Sequence, residues 1–588
     1  MKRRLFLRLA PAASFLSATA LRAQKPEDDP ILRAMREELA RSRDLKLPGT
    51  DPIYYIEYGL DELDTFAASA SMGALISANH SRSRIPRVQV RVGDYKFDNT
   101  NYIYTDLFAR AGGRVVLDDD VEAIRRQFWL MTDQVFKGSL EAIARKRSAL
   151  RNVTQQEVLN DFSKAEPIQF YLPRTKVVSR EPEWKALAKR VSAVFLKHPL
   201  VTQSHVELEI AYSNTNMVNS EGTELRFPED LFFVRIRASA QAADGMPIRD
   251  AVVFQARELD KLAAEADMVR GAEQVAGHVE ALLKAPVEED YSGPVLVDDI
   301  ASPQLFAHLL GANLGMTRRP VSEPGRSFPV PQSELEGRMG SRVLPEWMDA
   351  VDDPTRAEWK GEPLHGGYEV DMEGVKPAPL TVVENGKVKN FLLTRLPVRG
   401  FEASNGRARL PGSFGAKAAV FSNLFVNAKE TVSAADLKKK LIDMIQQRGK
   451  PYGLLVRKLD FPTTTPVGEI RRMATASGQR GGSVRPSVAP ALTYRVYPDG
   501  REELVRGLSF RGLNVRSLRD IAAASDSQVL FHYTGDGSAL PAMGAGGYVS
   551  THSVVAPAVL FEDLELEKRQ EDWPKLPLAP PPDLTGGQ

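Results

Sequence analysis

Hydropathy along this chain switches repeatedly between a two-residue and a roughly 3.6-residue period, and this switching narrows the available folds more than any other feature of the sequence. Residues 87–92 (RVQVRV) alternate apolar and basic side chains, as a strand with one buried face does. Residues 54–60 and 70–79 alternate more loosely. Residues 118–151 instead place Ile124, Phe128, Met131, Val135, Leu140 and Ile143 on one side of one or two helices. A helix is expected over 183–198, with Trp184, Leu187, Val191 and Phe195 inward and Pro199 ending it. Strand patterns return at 204–214, 225–227 and 231–240, the first two joined by the turn residues Asn219-Ser220-Glu221-Gly222. Residues 259–283 read as one long amphipathic helix. After Ala285-Pro286 come a buried strand at 294–297 and further strands at 367–370, 380–384 and 388–393. Glu384-Asn385-Gly386 is a hairpin signal between the last two. Ser433 and Asp436 open a helix that stops at Gly449, and strands follow at 452–459, 492–496, 503–505 and 556–564. Strand clusters interrupted by separate long helices specify an α+β fold rather than a doubly wound parallel sheet. Two mixed domains are expected, residues 24–286 and 291–570, the second rich in antiparallel sheet with a few long helices.

The ends of the chain are of another kind. Lys2, Arg3, Arg4 and Arg8 precede a short apolar stretch, residues 9–21, and small-residue cleavage sites fall near Ala20 and Ala23. This is the layout of a secretory leader, residues 1–23, too short to span a bilayer. Its Arg3-Arg4-Leu5-Phe6-Leu7-Arg8 is also similar to a twin-arginine signal. An exported protein, periplasmic or extracellular, is expected. Residues 571–588 form a proline-rich tail expected to be disordered. The formal net charge is +1, and loss of the leader would turn it mildly acidic, which argues against a nucleic-acid partner. No other apolar run is long enough for a transmembrane anchor. The chain has no cysteine, so any metal would have to be held by its 8 histidines and its carboxylates.

Several short segments occur in a telling order. Tyr291-Ser292-Gly293-Pro294-Val295-Leu296 leads into residues 304–315 (QLFAHLLGANLG), an apolar helix with Leu305, Phe306, Leu309 and Leu310 inside. Val351-Asp352-Asp353-Pro354-Thr355, Asp371-Met372-Glu373-Gly374-Val375 and Val383-Glu384-Asn385-Gly386 follow. Ser404-Asn405-Gly406-Arg407-Ala408-Arg409 precedes Ser422-Asn423-Leu424-Phe425-Val426, and Val505-Arg506-Gly507-Leu508-Ser509 closes the series. With Val218-Asn219-Ser220-Glu221-Gly222 earlier, this order resembles the TldD/PmbA family of zinc peptidases, also called modulators of DNA gyrase. The resemblance implies two α+β domains and a paired architecture. One partner type holds zinc through two histidines and a cysteine, with a glutamate as general base. The other, the PmbA or TldE type, lacks these ligands and completes the cavity in which peptides are trimmed.

The family's metal helix reads His, Glu, three spacers, His. Here those positions are Ala307, His308 and Ala312, with Gly311 matching the family's helix glycine. A catalytic zinc needs three protein ligands and a position for water, and neither alanine can supply one. The expectation is therefore a metal-free PmbA/TldE-like subunit with no resident cofactor, zinc being contributed by a TldD-like partner. Association with such a homologue or with itself is expected, with a peptide as substrate. An alternative is a peptidase with a rearranged metal site, in which His308 joins His532 or His552 and a carboxylate such as Asp298 or Asp299. A third reading is a non-catalytic peptide-binding protein of the cell envelope. Asn405, Arg407 and Arg409 are candidates to clasp a peptide carboxylate, against a structural role in salt bridges. Gly481-Gly482 in QRGGSVR could hold an anion through backbone N–H groups. Asp352-Asp353 reads as a turn or a cation site, His365 as a further imidazole of the second domain, and Ser302 and Ser413 lack a triad companion.

Overall fold

The computed structural model describes residues 29–103, 110–112, 115–151, 159–322, 333–411, 417–461, 488–535, 550–570 and 573–574. The expected leader, the QRGGSVR loop, Ser413, residues 544–547 and most of the proline-rich tail lie outside the described residues. The fold is α+β. Eight strands drawn from residues 53–256 make one sheet, and eleven drawn from residues 291–568 make another.

The first sheet is organised by a long hairpin, Ile53–Ser71 paired antiparallel with Ala74–Val92. Residues 70–79, expected as one strand, are divided by its turn. Met72 (φ 46°) and Gly73 (φ 78°) both take left-handed conformations, the geometry that matches strand twist in a two-residue hairpin. The sequence lacks the usual Asn-Gly signal there, so the alternation reads straight through the bend. One end of the sheet is covered by Pro30–Ser42, capped by the Asp29 carboxylate, and by the 30-residue helix Val121–Leu150. Ile31, Leu32, Met35, Ile124, Phe128 and Val135 close against Tyr58, Val88 and Val90 there. The other end is covered by Glu181–Ser192 and Glu265–Lys284. The single helix expected over 259–283 is interrupted, because Leu262 is extended (φ −63°, ψ 137°) after a short 3₁₀ turn at Leu259–Lys261. Likewise the helix expected over 183–198 ends at Ser192 and continues as the 3₁₀ turn Ala193–Lys197.

Strict alternation sends Phe232, Val234, Ile236 and Ala238 of Leu231–Gln241 into the core beneath those helices. The opposite face of the same sheet therefore carries Phe233, Arg235 and Arg237, and Phe233 pairs with Gln255 of the neighbouring Pro247–Ala256 strand. This polar face is what the first domain offers to the second.

The second sheet is centred on Ser550–Lys568, which runs parallel to Asn423–Ala428 and antiparallel to Tyr291–Val297 and Ile521–Gly535. The helix Ala434–Gln447, capped by Ser433 as expected, covers one face through Leu437, Leu441 and Ile445. The helical segment after Tyr291–Val297 covers the other within the largest apolar core. Two expected strands differ. The one after the Asn385-Gly386 turn is limited to Lys387–Val388, and residues 367–370 are irregular, without strand pairing. Glycines shape that bent segment: a Cβ on Gly366 would lie 2.2 Å from the Ser422 carbonyl oxygen.

The two domains meet through charge as well as apolar packing. Lys417 reaches Glu57 (2.5 Å), Arg395 reaches Glu221 (2.7 Å) and Lys458 reaches Asp250 (2.5 Å). Leu492 of the second domain also joins the core beneath Glu265–Lys284. Among the described residues no helix is long and apolar enough to cross a membrane.

Candidate functional site

The helix that carries Ala307 and His308 is not a regular α-helix. Ala301–Phe306 is α-helical, Ala307–Gly311 widens into a π-turn, and Ala312–Leu314 returns to α geometry. The Ala312 N–H donates to the Ala307 carbonyl, five residues back. A π-turn brings residues i and i+5 toward one face, whereas at 3.6 residues per turn an α-helix would set them about 140° apart around the axis. The backbone here thus aligns positions 307 and 312, and each carries a methyl group. Ala307 is 1 % exposed and closed into the core, Ala312 is exposed, and His308 is half-buried.

Gly311 marks how tightly this turn is packed. A Cβ there would lie 2.5 Å from Cε1 of Phe421, so the ring rests directly on the helix backbone. Behind Phe421 sits His552, with ring centroids 4.6 Å apart. The Phe421 carbonyl accepts from His552 Nδ1 (2.8 Å), and His552 Nε2 bonds the Ser550 hydroxyl. Phe421 thus stands between His552 and the helix. His365 and His532 stack on each other at 3.9 Å. The Ser553 hydroxyl accepts from the His365 backbone N–H (2.8 Å) and bonds His532 Nδ1 (2.9 Å), while Gln255 Nε2 meets His365 Nδ1 (3.0 Å). Burial holds all three imidazoles neutral, with pKa values pushed down to about 3 for His365, about 4 for His532 and about 3 for His552. Among the described residues, no three histidine, aspartate or glutamate side chains gather as a metal site requires. Asp298 and Asp299 lie ahead of the first helical turn, on the order of 10 Å along the axis from position 307 at about 1.5 Å per residue.

The residues expected to clasp a carboxylate are divided in role. Asn405 accepts from the Leu393 N–H (2.9 Å) and donates to the Phe391 carbonyl (2.7 Å), clamping that segment. Arg407, 1 % exposed, is paired with the fully buried Asp352 (2.9 Å) and donates to the carbonyls of Asn405 and Ala378. Both serve the fold. Asp352 also accepts from the Ser422 N–H and hydroxyl, and Asp353 caps the turn at Thr355, so this acidic pair is occupied internally. Ser302 is buried and donates to the Pro557 carbonyl. Arg409 differs. One end of its guanidinium bonds Glu229 of the first domain (2.8 Å) and its carbon lies 4.4 Å over the Tyr368 ring, while Nη1 is buried without a hydrogen-bond partner.

Sequence reasoning missed Glu229, Gln255, Arg257 and Tyr368, which surround Arg409 and His365. Their clustering depends on the contact between domains, which leaves no local periodicity. The doublet Gly366-Gly367 was the available signal, since paired glycines often mark a close approach of backbones.

The chain is an α+β protein of two sheets, with a π-turn helix against the second, and comparison with known proteins adds a family to that fold. Residues 296–568 match the model of the PmbA/TldA metallopeptidase C-terminal domain, so this second domain belongs to the TldD/PmbA family. No curated protein matches the sequence. The fold is similar to that of a candidate modulator of DNA gyrase from Thermotoga maritima (17 % identity, TM-score 0.55), and the match covers 91 % of this chain and 99 % of that one. TldE from Thermococcus kodakarensis is similar at 13 % identity and a TM-score of 0.53, with the same coverage. A candidate gyrase modulator from Bacteroides thetaiotaomicron is similar at 10 % identity and a TM-score of 0.54, again over 91 % and 99 % of the two chains.

Proposed function

We propose that this chain is the non-catalytic subunit of an exported peptide-degrading complex, working beside a TldD-like homologue that carries the zinc. One observation carries the reading. The π-turn sets positions 307 and 312 in line, and both are alanine, whose methyl groups have no lone pair to give a metal. His308 is the single donor left in the motif, short of the three that a catalytic zinc takes. In this reading the second domain shapes the chamber and its partner supplies the hydrolytic water. The basic leader directs the pair to the cell envelope.

Metal analysis of the purified mature chain tests the proposal, and well under 0.1 equivalent of zinc is expected, against one in a loaded site. Co-purification with a homologue that keeps the His-Glu…His helix should accompany it. One tightly held equivalent in the isolated chain, with hydrolysis lost in His308→Ala, would instead establish a peptidase rebuilt around His308. A chain that binds peptides but pairs with no homologue would fit the envelope-binding alternative.

A further inference from the structure

The segment His365-Gly366-Gly367-Tyr368 straps the second domain to the polar face of the first, and three first-domain groups converge on it. The Gln255 amide meets His365 Nδ1 (3.0 Å), the Arg257 guanidinium donates to the Gly367 carbonyl (2.8 Å), and Glu229 holds Arg409 over the Tyr368 ring. Arg257 therefore holds the Gly367 carbonyl from one side of the seam, and Arg409 lies over the ring of the next residue, Tyr368, from the other.

Their bonding is incomplete. Arg409 is 9 % exposed, yet its Nη1 has no partner. Gln255 Oε1 is likewise buried and unbonded. Arg257 is half-buried and, among the described residues, makes no ion pair. The two carboxylates nearest in its surroundings, Glu229 and Asp230, are committed elsewhere: Glu229 to Arg409, and Asp230 to the Thr175 hydroxyl (2.5 Å) and the Ser213 N–H (3.0 Å). Burial and the neighbouring Arg409 charge both weigh against the Arg257 cation. Buried cations and amides left short of partners cost free energy unless a ligand completes them. The unmet set comprises guanidinium N–H donors and one amide oxygen. Planar carboxylates suit the first, and a backbone N–H suits the second. Inorganic phosphate has no backbone N–H to set against Gln255 beside its oxyanion, and a planar carboxylate matches the guanidinium fork better than a tetrahedral anion does.

We propose that Arg257 and Arg409 together bind the C-terminal carboxylate of an extended peptide at the seam between the domains, with Gln255 accepting that peptide's last backbone N–H. The site deepens the peptide-chamber reading, on which it rests, by naming the end of the peptide that the chamber holds.

Calorimetry on the mature chain alone, without partner or zinc, tests this with N-acetyl-Ala-Ala as free acid, its C-terminal amide and inorganic phosphate. The acid should bind at least about tenfold more tightly than either the amide or phosphate, the loss of one charge-assisted pair being worth that much. Arg257→Gln should abolish the preference for acid over amide with melting unchanged within a few degrees. Equal binding of acid and amide, no binding of the acid, tighter binding of phosphate, or a preference that survives Arg257→Gln would overturn the site. If Arg257→Gln does not fold, the three-ligand comparison on the unaltered chain decides alone. Failure here with co-purification intact removes only this site. Carboxylate preference in a chain that pairs with no homologue would remove the subunit reading and leave the site standing.

Discussion

At the 307–312 turn the backbone keeps an alignment that its side chains do not use, while at the 365–368 strap the side chains hold bonding capacity that the fold does not consume. In the first region every neighbour is satisfied: Ala307 is sealed, Phe421 rests on Gly311, and His552 is bonded at both nitrogens. In the second, Arg409 Nη1 and Gln255 Oε1 are buried and unmet. The contrast separates two ways in which a site can be visible. A backbone irregularity records how positions are aligned, and unsatisfied polar atoms record what a position is able to hold. Here the two records lie in different places.

The contrast can be broken from several sides. The largest effect is expected where an arginine is fully spent. Arg407→Met strands the buried Asp352 carboxylate and should cost about 3–5 kcal/mol in urea unfolding, whereas Arg257→Gln should cost about 1–2 kcal/mol, the hydrogen bond to the Gly367 carbonyl being lost but no ion pair. Similar losses in both would erase the distinction between spent and available guanidinium groups. Next comes packing at the helix. Ala307→His must force an imidazole into a closed core, at a cost of about 1–3 kcal/mol. Gly311→Ala gains helix propensity of up to about 1 kcal/mol but drives a methyl into the Phe421 ring, so a net loss of about 1–2 kcal/mol is expected. Denaturation midpoints check both.

The pH dependence follows from the three sealed imidazoles. Their folded pKa values, about 3, 4 and 3, lie below the ordinary value of 6.5. Between pH 6.5 and about 4 the unfolded chain therefore binds protons at these positions that the folded chain does not. Their contribution to stability is fully present above pH 6.5 and is lost as the pH falls through that window. Melting scans from pH 7.5 to 5.0 should show the decline, and His532→Asn should shallow the slope by about one proton. A slope unchanged by this variant would mean that His532 titrates normally. The smallest effect is expected at the exposed end of the turn, where Ala312→His should shift stability by no more than about 0.5 kcal/mol.

Much of the architecture is legible in the sequence because periodicity is a local property. The amphipathic repeat from Ile124 to Ile143 gives a helix, the Asn385-Gly386 turn (φ 47° and 73°) gives a hairpin, and Ser433 gives a cap. What was illegible has physical causes. The Met72-Gly73 turn carries no standard signature, and the breaks at Leu262 and at residues 367–370 are imposed by tertiary contacts. For the site, the sequence yields the alanines in the motif but not the π-turn, since helix width depends on packing around Phe421. Arg407 and Arg409 are equivalent as letters. Only their surroundings, Asp352 for one and the Glu229–Tyr368 seam for the other, distinguish a strut from an open hand.

The sealing of Ala307 also makes the two alanines unequal as places to build. At the exposed Ala312 a donor could be introduced by a single substitution, but at Ala307 an imidazole would have to displace neighbouring core. Installing a donor at both positions would require excavating that core before any metal could reward the change. A metal site engineered at this turn would therefore begin from its solvent side, with the enclosed position as the harder half of the work.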